Sequence, residues 1–254
     1  MILVFSVNKF AFHVMLLTNV YAQRNRSPSP TKEVFMSEAN FSALLKGAQG
    51  EYEEKKSRFL SQSFCVRREE EVAEILSSLR KQHYDARHVC YAYILHGNPP
   101  VEKSSDDGEP AKTAGLPMLD LLRAASLRNT LITVVRYFGG TKLGTGGLVR
   151  AYTAAAKEAL HASVAAEVFP AVQLSLNLDY GLYGKVARLA EDCCGTVLSL
   201  QFLAEVSLTL LFRQADSARF LTALTELSGG SVAPAKTETL FAVEAEGKLC
   251  ALSL

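Results

Sequence analysis

The apolar positions of this chain change period several times, and each change predicts an element. Residues 57–66 mix polar positions with Phe59, Leu60, Phe64 and Val66, which predicts a strand. Residues 69–81 place Val72, Ile75, Leu76 and Leu79 at helical spacing. Acids open that helix and Arg80 and Lys81 close it, as its dipole favours. Residues 88–95 are aromatic and β-branched and predict a second strand. The stretch 97–113 is polar, carries Pro99, Pro100 and Pro110, and is expected to be a loop. Residues 117–127 predict a helix with Pro117 in its first turn. Residues 131–136 then read as a buried strand and 148–161 as a helix, with a further short strand around 165–169. Strand–helix–strand–helix–strand–helix fits a doubly wound sheet and an α+β sandwich equally well.

Near 163–170 the residues turn small and Pro170 breaks the chain, so a domain boundary is expected there. Residues 172–178 alternate cleanly, as a half-buried strand does. A helix over 182–192 is expected to end near Gly195, with strands at 196–202 and 205–212. A helix over 218–227 stops at Gly229 and Gly230, and 231–237 is expected to be a closing strand, at an edge because of Pro234. The order β-α-β-β-α-β is the ferredoxin-like unit. Residues 239–254 form a mildly apolar tail with no assigned element. At the other end, 1–36 is expected to be an extension, with Met36 as the true start. A disordered segment, or a signal segment ending near Val20-Tyr21-Ala22, are the alternatives.

Composition narrows the function. The chain has 254 residues, 48% hydrophobic and 21% charged, which suits one large or two small soluble domains. The formal net charge is +1, so any attraction to nucleic acid must come from a local patch. No basic stripe and no pair of stacking aromatics marks residues 171–236. The apolar run after His13 is shorter than the ~20 residues of a membrane span. The 5 cysteines form no Cys-x-x-Cys, and His83 and His88 lack a cysteine pair to complete a zinc site. Free thiols in a reducing compartment are expected, with no metal and no cofactor.

Two stretches carry candidate chemistry. The first follows the strand at 131–136, where Gly139, Gly140, Gly144, Gly146 and Gly147 precede a helix. Glycines let another group approach the backbone, and a helix opening there presents free N–H groups to an anion. Arg136, Lys142 and Arg150 bracket that end with positive charge. The spacing is neither G-x-G-x-x-G nor a phosphate-binding G-x-x-x-x-G-K-[ST] loop. A tight connection with glycines for packing is the plain alternative. The second stretch holds Asp106, Asp107 and Glu109, which suit a hard cation or acid–base work, or a solvated Asp-Gly turn braced by its own backbone. His88 is an acid–base candidate or a satisfied rim residue, and Tyr137 and Tyr152 are expected at the rim. No nucleophile motif accompanies them.

These residues resemble the YigZ/IMPACT family. The run from Arg136-Tyr137-Phe138-Gly139-Gly140 through Lys142-Leu143-Gly144 to Gly146-Gly147-Leu148-Val149-Arg150-Ala151-Tyr152 is similar to its signature. So are Ser105-Asp106-Asp107-Gly108-Glu109-Pro110 with Thr113-Ala114-Gly115, and Lys56-Ser57-Arg58-Phe59. The chain departs at Lys112, where the family usually has glycine. The resemblance implies an α+β chain: a sandwich like the second domain of ribosomal protein S5 over 37–168, then a ferredoxin-like domain over 169–238. It implies a cytoplasmic, translation-associated regulator that binds RNA, the ribosome or a protein partner, with no membrane. Arg136, Lys142, Arg150 and the glycine turn would then contact phosphate. A metal-assisted enzyme acting on a phosphorylated small molecule or nucleotide is the alternative, with a purely structural role for the motifs as a third reading.

Overall fold

A computed structural model describes residues 40–252, so the expectations for 1–36 lie outside the described residues. Contacts divide the chain into two units between Ala166 and Glu167. The first contains β1 (Phe41–Lys46), β2 (Gln49–Glu54), β3 (Ser57–Cys65), α1 (Glu69–Gln82), β4 (His88–Leu95) and β5 (Val101–Ser105). It continues with α2 (Gly115–Ala124), β6 (Leu127–Arg128), β7 (Thr130–Tyr137) and α3 (Thr145–Ala162). Five strands form an antiparallel sheet in the order β2-β3-β7-β4-β5. Strands β1 and β6 pair separately, in parallel.

The central strand β7 is buried from Thr130 to Arg136, because both its faces are covered. Ile132 and Val134 face Phe59, Met118, Leu122, Tyr152 and the alanines of α3. Leu131 and Val135 face the other way, onto Val72 and Leu79 of α1. Ala151, Ala155, Ala156 and Ala159 let α3 lie close to the sheet. Register sets Phe59 and His88 beside Arg136, one on each neighbouring strand.

The division falls within β8 (Val164–Leu178). After it come α4 (Tyr180–Asp192), β9 (Thr196–Phe202), β10 (Val206–Arg213), α5 (Gln214–Ser228), β11 (Lys236–Ala245) and β12 (Lys248–Leu252). Strands of the second unit run β9-β10-β8-β11-β12, all antiparallel. The first four of these give the ferredoxin-like order, and β12 extends it. Leu174, Leu176, Leu178, Leu208, Phe212 and Phe220 fill its core with Val186 and Ala190 of α4. The chain is therefore α+β, as expected.

Several expectations need correction. The presumed loop 97–113 contains β5, a polar edge strand held by pairing with Tyr91 to Leu95. No strand occupies 231–235; β11 begins at Lys236, after Pro234, and runs through the supposed tail. That tail is a hairpin whose turn residues Glu246 and Gly247 both have positive φ, 52° and 73°. Gly195 does not supply the left-handed end of α4, since Cys194 does so at φ 58°. A Cβ at Gly195 would lie 2.3 Å from the Phe212 ring, so packing explains that glycine. Strands β1 and β2 had no expected counterpart. Among the described residues no helix is long and apolar enough to cross a membrane.

Candidate functional site

The acidic loop follows β5, and its carboxylates are spent inside the protein, on the loop's own backbone and on the elements beside it. Asp106 accepts from the backbone N–H groups of Lys112 (2.8 Å), Ala114 (2.9 Å) and Gly115 (2.8 Å). Burial raises its pKa, but these N–H groups and that of Thr113 outweigh the effect and hold it below the ordinary carboxylate range. Asp107 accepts from the Val89 N–H at 2.7 Å and pairs with Arg80 at 2.8 Å. His88 reaches the Asp107 carbonyl with Nδ1 at 2.7 Å, so it braces the loop. Gly115 packs so closely that a Cβ there would lie 2.8 Å from the backbone of Ser105.

Glu109 turns inward. It is 9% exposed and meets Arg136, itself 8% exposed, at 2.6 Å. The same carboxylate oxygen accepts from the Tyr152 hydroxyl at 2.8 Å. Tyr152 is fully buried, edge-on to Phe59 at 5.1 Å, and burial pushes its phenol far above the ordinary range. The Cys90 thiol donates to the Asp106 carbonyl at 3.1 Å and lies 3.4 Å from the Tyr152 hydroxyl. Burial first, and the three nearby carboxylates after it, push Cys90 up to about 12, so it is inert as a thiolate. Arg136 and Tyr152 thus depart from expectation. Neither is a surface residue, and together with Glu109 they tie the acidic loop to β7 and α3. Among the described residues no group of three His, Cys, Asp or Glu side chains is placed to hold a metal ion.

The glycine turn joins β7 to α3 at this same end of the pair. Gly139 is forced by packing: its N–H donates to the Ser57 hydroxyl, and a Cβ would lie within 2.3 Å of Lys56 and Ser57. Gly140 and Gly144 take φ of 86° and 72° in open space. Helix α3 starts at Thr145 with no side-chain cap and no acid in its first turn. Gly146 and Gly147 lie in that turn, so among the described residues no side chain caps the first N–H groups of the helix, and they face an acceptor from outside. Lys142 and Arg150 are exposed beside it, as are Lys55 and Lys56 on the turn that abuts Gly139. None of these four cations forms a side-chain ion pair among the described residues. Tyr137 is half-buried and bonds His83 at 2.8 Å, away from this group.

A family model described as the Impact N-terminal domain matches residues 55–160, and a second, described as Domain of unknown function (DUF1949), matches 176–231. The IMPACT family member YvyE of Bacillus subtilis is 35% identical over 177 residues, covering 69% of this chain and 81% of that protein. The chain belongs to the IMPACT family. The IMPACT family member YigZ of Escherichia coli is 36% identical over 181 residues, covering 70% of this chain and 88% of its own. A crystal structure of a hypothetical protein superposes with a TM-score of 0.51 at 32% identity, over 78% of this chain and 97% of that one.

Within this IMPACT chain the three sequence blocks meet at one place. Phe59 and Glu109 come from one block each and Arg136 and Tyr152 from the third, and each of the first two contacts both of the last two. Pattern reading did not single out Phe138. It is 54% exposed, and the Arg136 guanidinium lies 5.6 Å from its ring centre. A bulky apolar side chain between an arginine and two glycines was the available signal.

Proposed function

We propose that this protein is a cytoplasmic, translation-associated binding module that engages RNA or the ribosome through the glycine-turn end of its first unit. IMPACT family membership brings the translational expectation with it. The observation that carries the reading is the sorting of charge at the site. Asp106, Asp107 and Glu109 spend their oxygens on backbone, Arg80, Arg136 and Tyr152. Lys55, Lys56, Lys142 and Arg150 remain exposed beside an uncapped helix start. What this end offers a partner is positive charge and free N–H groups, the complement of phosphate. A metal-assisted enzyme is disfavoured, because its carboxylates are already engaged with different partners.

The test is co-sedimentation with ribosomes across a salt series, wild type beside a Lys142→Glu/Arg150→Glu variant. Binding should fall as salt rises, and the variant should bind weakly with a log–log slope shallower by about 1–2. Equal binding by both would remove this surface from the interaction. No binding at low salt would end the ribosome reading.

A further inference from the structure

We propose that Phe138 is the stacking platform for one base of a single-stranded nucleic acid whose phosphates lie on the neighbouring cations. This inference rests on the phosphate reading of the same turn and names the ligand more closely.

Exposing 54% of a phenylalanine costs hydrophobic free energy unless something covers it. Its position is fixed rather than loose. Arg136 sits between two rings, 5.5 Å from the centre of Phe59 and 5.6 Å from that of Phe138. That guanidinium is itself held by Glu109 at 2.6 Å. Phe138 is therefore backed by a buried cation and stays open to solvent elsewhere. A base that stacked on it would cost the ring little freedom, since the platform is already ordered.

The surroundings suit a strand of nucleic acid. Gly140 and Gly144, which follow the ring, face open space where a side chain would stand, so the turn leaves room for a ligand beside it. Lys56 abuts Gly139 through its backbone, and Lys142 follows Phe138 by four positions. Aromatic faces beside a cationic track are the general means of holding single strands without reading their sequence. The other exposed aromatics lack this combination. Phe202 is already engaged by Tyr180 at 6.1 Å and Tyr183 at 5.4 Å, and Tyr84 carries no buried cation behind it.

The chain contains no tryptophan, so Phe138→Trp installs a single indole at the platform, which excitation beyond the tyrosine band reports alone. A fluorescently labelled uridine decamer and its abasic counterpart are titrated at low salt against wild type, Phe138→Ala, Phe138→Trp and Lys142→Glu/Arg150→Glu. Wild type should bind the base-bearing decamer about tenfold more tightly than the abasic one. Phe138→Ala should abolish that preference while keeping the abasic affinity and the salt slope. With unlabelled strands, the indole emission of the Phe138→Trp variant should be quenched by the base-bearing decamer only. Equal binding of both strands by wild type, or a preference that survives in Phe138→Ala, overturns the stacking proposal. In that case salt-sensitive binding lost in Lys142→Glu/Arg150→Glu still upholds the phosphate reading. No binding of either strand overturns both. Phe138-dependent binding of a poly-glutamate peptide, without binding of the decamer, also overturns the proposal and assigns the surface to a protein.

Discussion

Lys112 has a φ of 63°, in the left-handed region where a side chain crowds its own backbone. Asp106 imposes this by binding the Lys112, Ala114 and Gly115 N–H groups at once, which wraps the chain tightly around one carboxylate. Glycine would fit the position without strain, and the exposed lysine occupies it under strain. Lys112→Gly should therefore stabilise the protein by about 0.5–1 kcal/mol, after allowing for glycine's freedom when unfolded. Chemical denaturation measures it, and a destabilised variant would contradict the strain account. The same loop carries a pH dependence. Asp106 has its folded pKa lowered, so its contribution is complete above the unfolded value and fades as pH falls through the folded one. Asp106→Asn should be less stable than wild type near neutrality, and the gap should narrow on acidification through the carboxylate range. A gap unchanged from about pH 7 to about pH 3 would remove the carboxylate's charge from the explanation.

At the scale of elements, legibility followed burial. Strand β4 was read with its observed ends because aromatic and β-branched residues fill it on both faces. Strand β5 was missed because its sequence, Val-Glu-Lys-Ser-Ser, is that of a solvated edge, and only pairing with β4 makes it a strand. In β11 the proline misled: Pro234 ends the preceding loop rather than lying in the strand. Helix α3 opens three residues before its apolar pattern does, since Thr145, Gly146 and Gly147 are poor helix formers held by the turn before them. The site was half legible for related reasons. The glycine turn and its outward cations stood out in composition. Arg136, by contrast, shares a face of β7 with Ile132 and Val134, and period two alone points it into the core. Helical spacing from Leu148 likewise carries Tyr152 inward. Charge and hydroxyl were read as surface signals where period was the better guide.

For the whole molecule, a formal net charge of +1 conceals a local imbalance. Acids at the site are neutralised by position, through hydrogen bonds and burial, whereas Lys55, Lys56, Lys142 and Arg150 stay exposed. That sorting depends on a buried ion pair, which is costly to break by removing one partner. It also leaves a chemical clock inside the first unit. Cys90 is fully buried with its pKa pushed up to about 12, while Cys194 is exposed on the second unit. A thiol-directed alkylating reagent at mildly alkaline pH should modify Cys194 at once and Cys90 only during openings of the first unit. Peptide mass mapping against time would then read the opening equilibrium of one unit inside the intact chain, without denaturant. Glu109→Gln should speed the Cys90 signal and leave Cys194 unchanged. Equal rates at the two cysteines in wild type would mean that the buried polar cluster closes nothing.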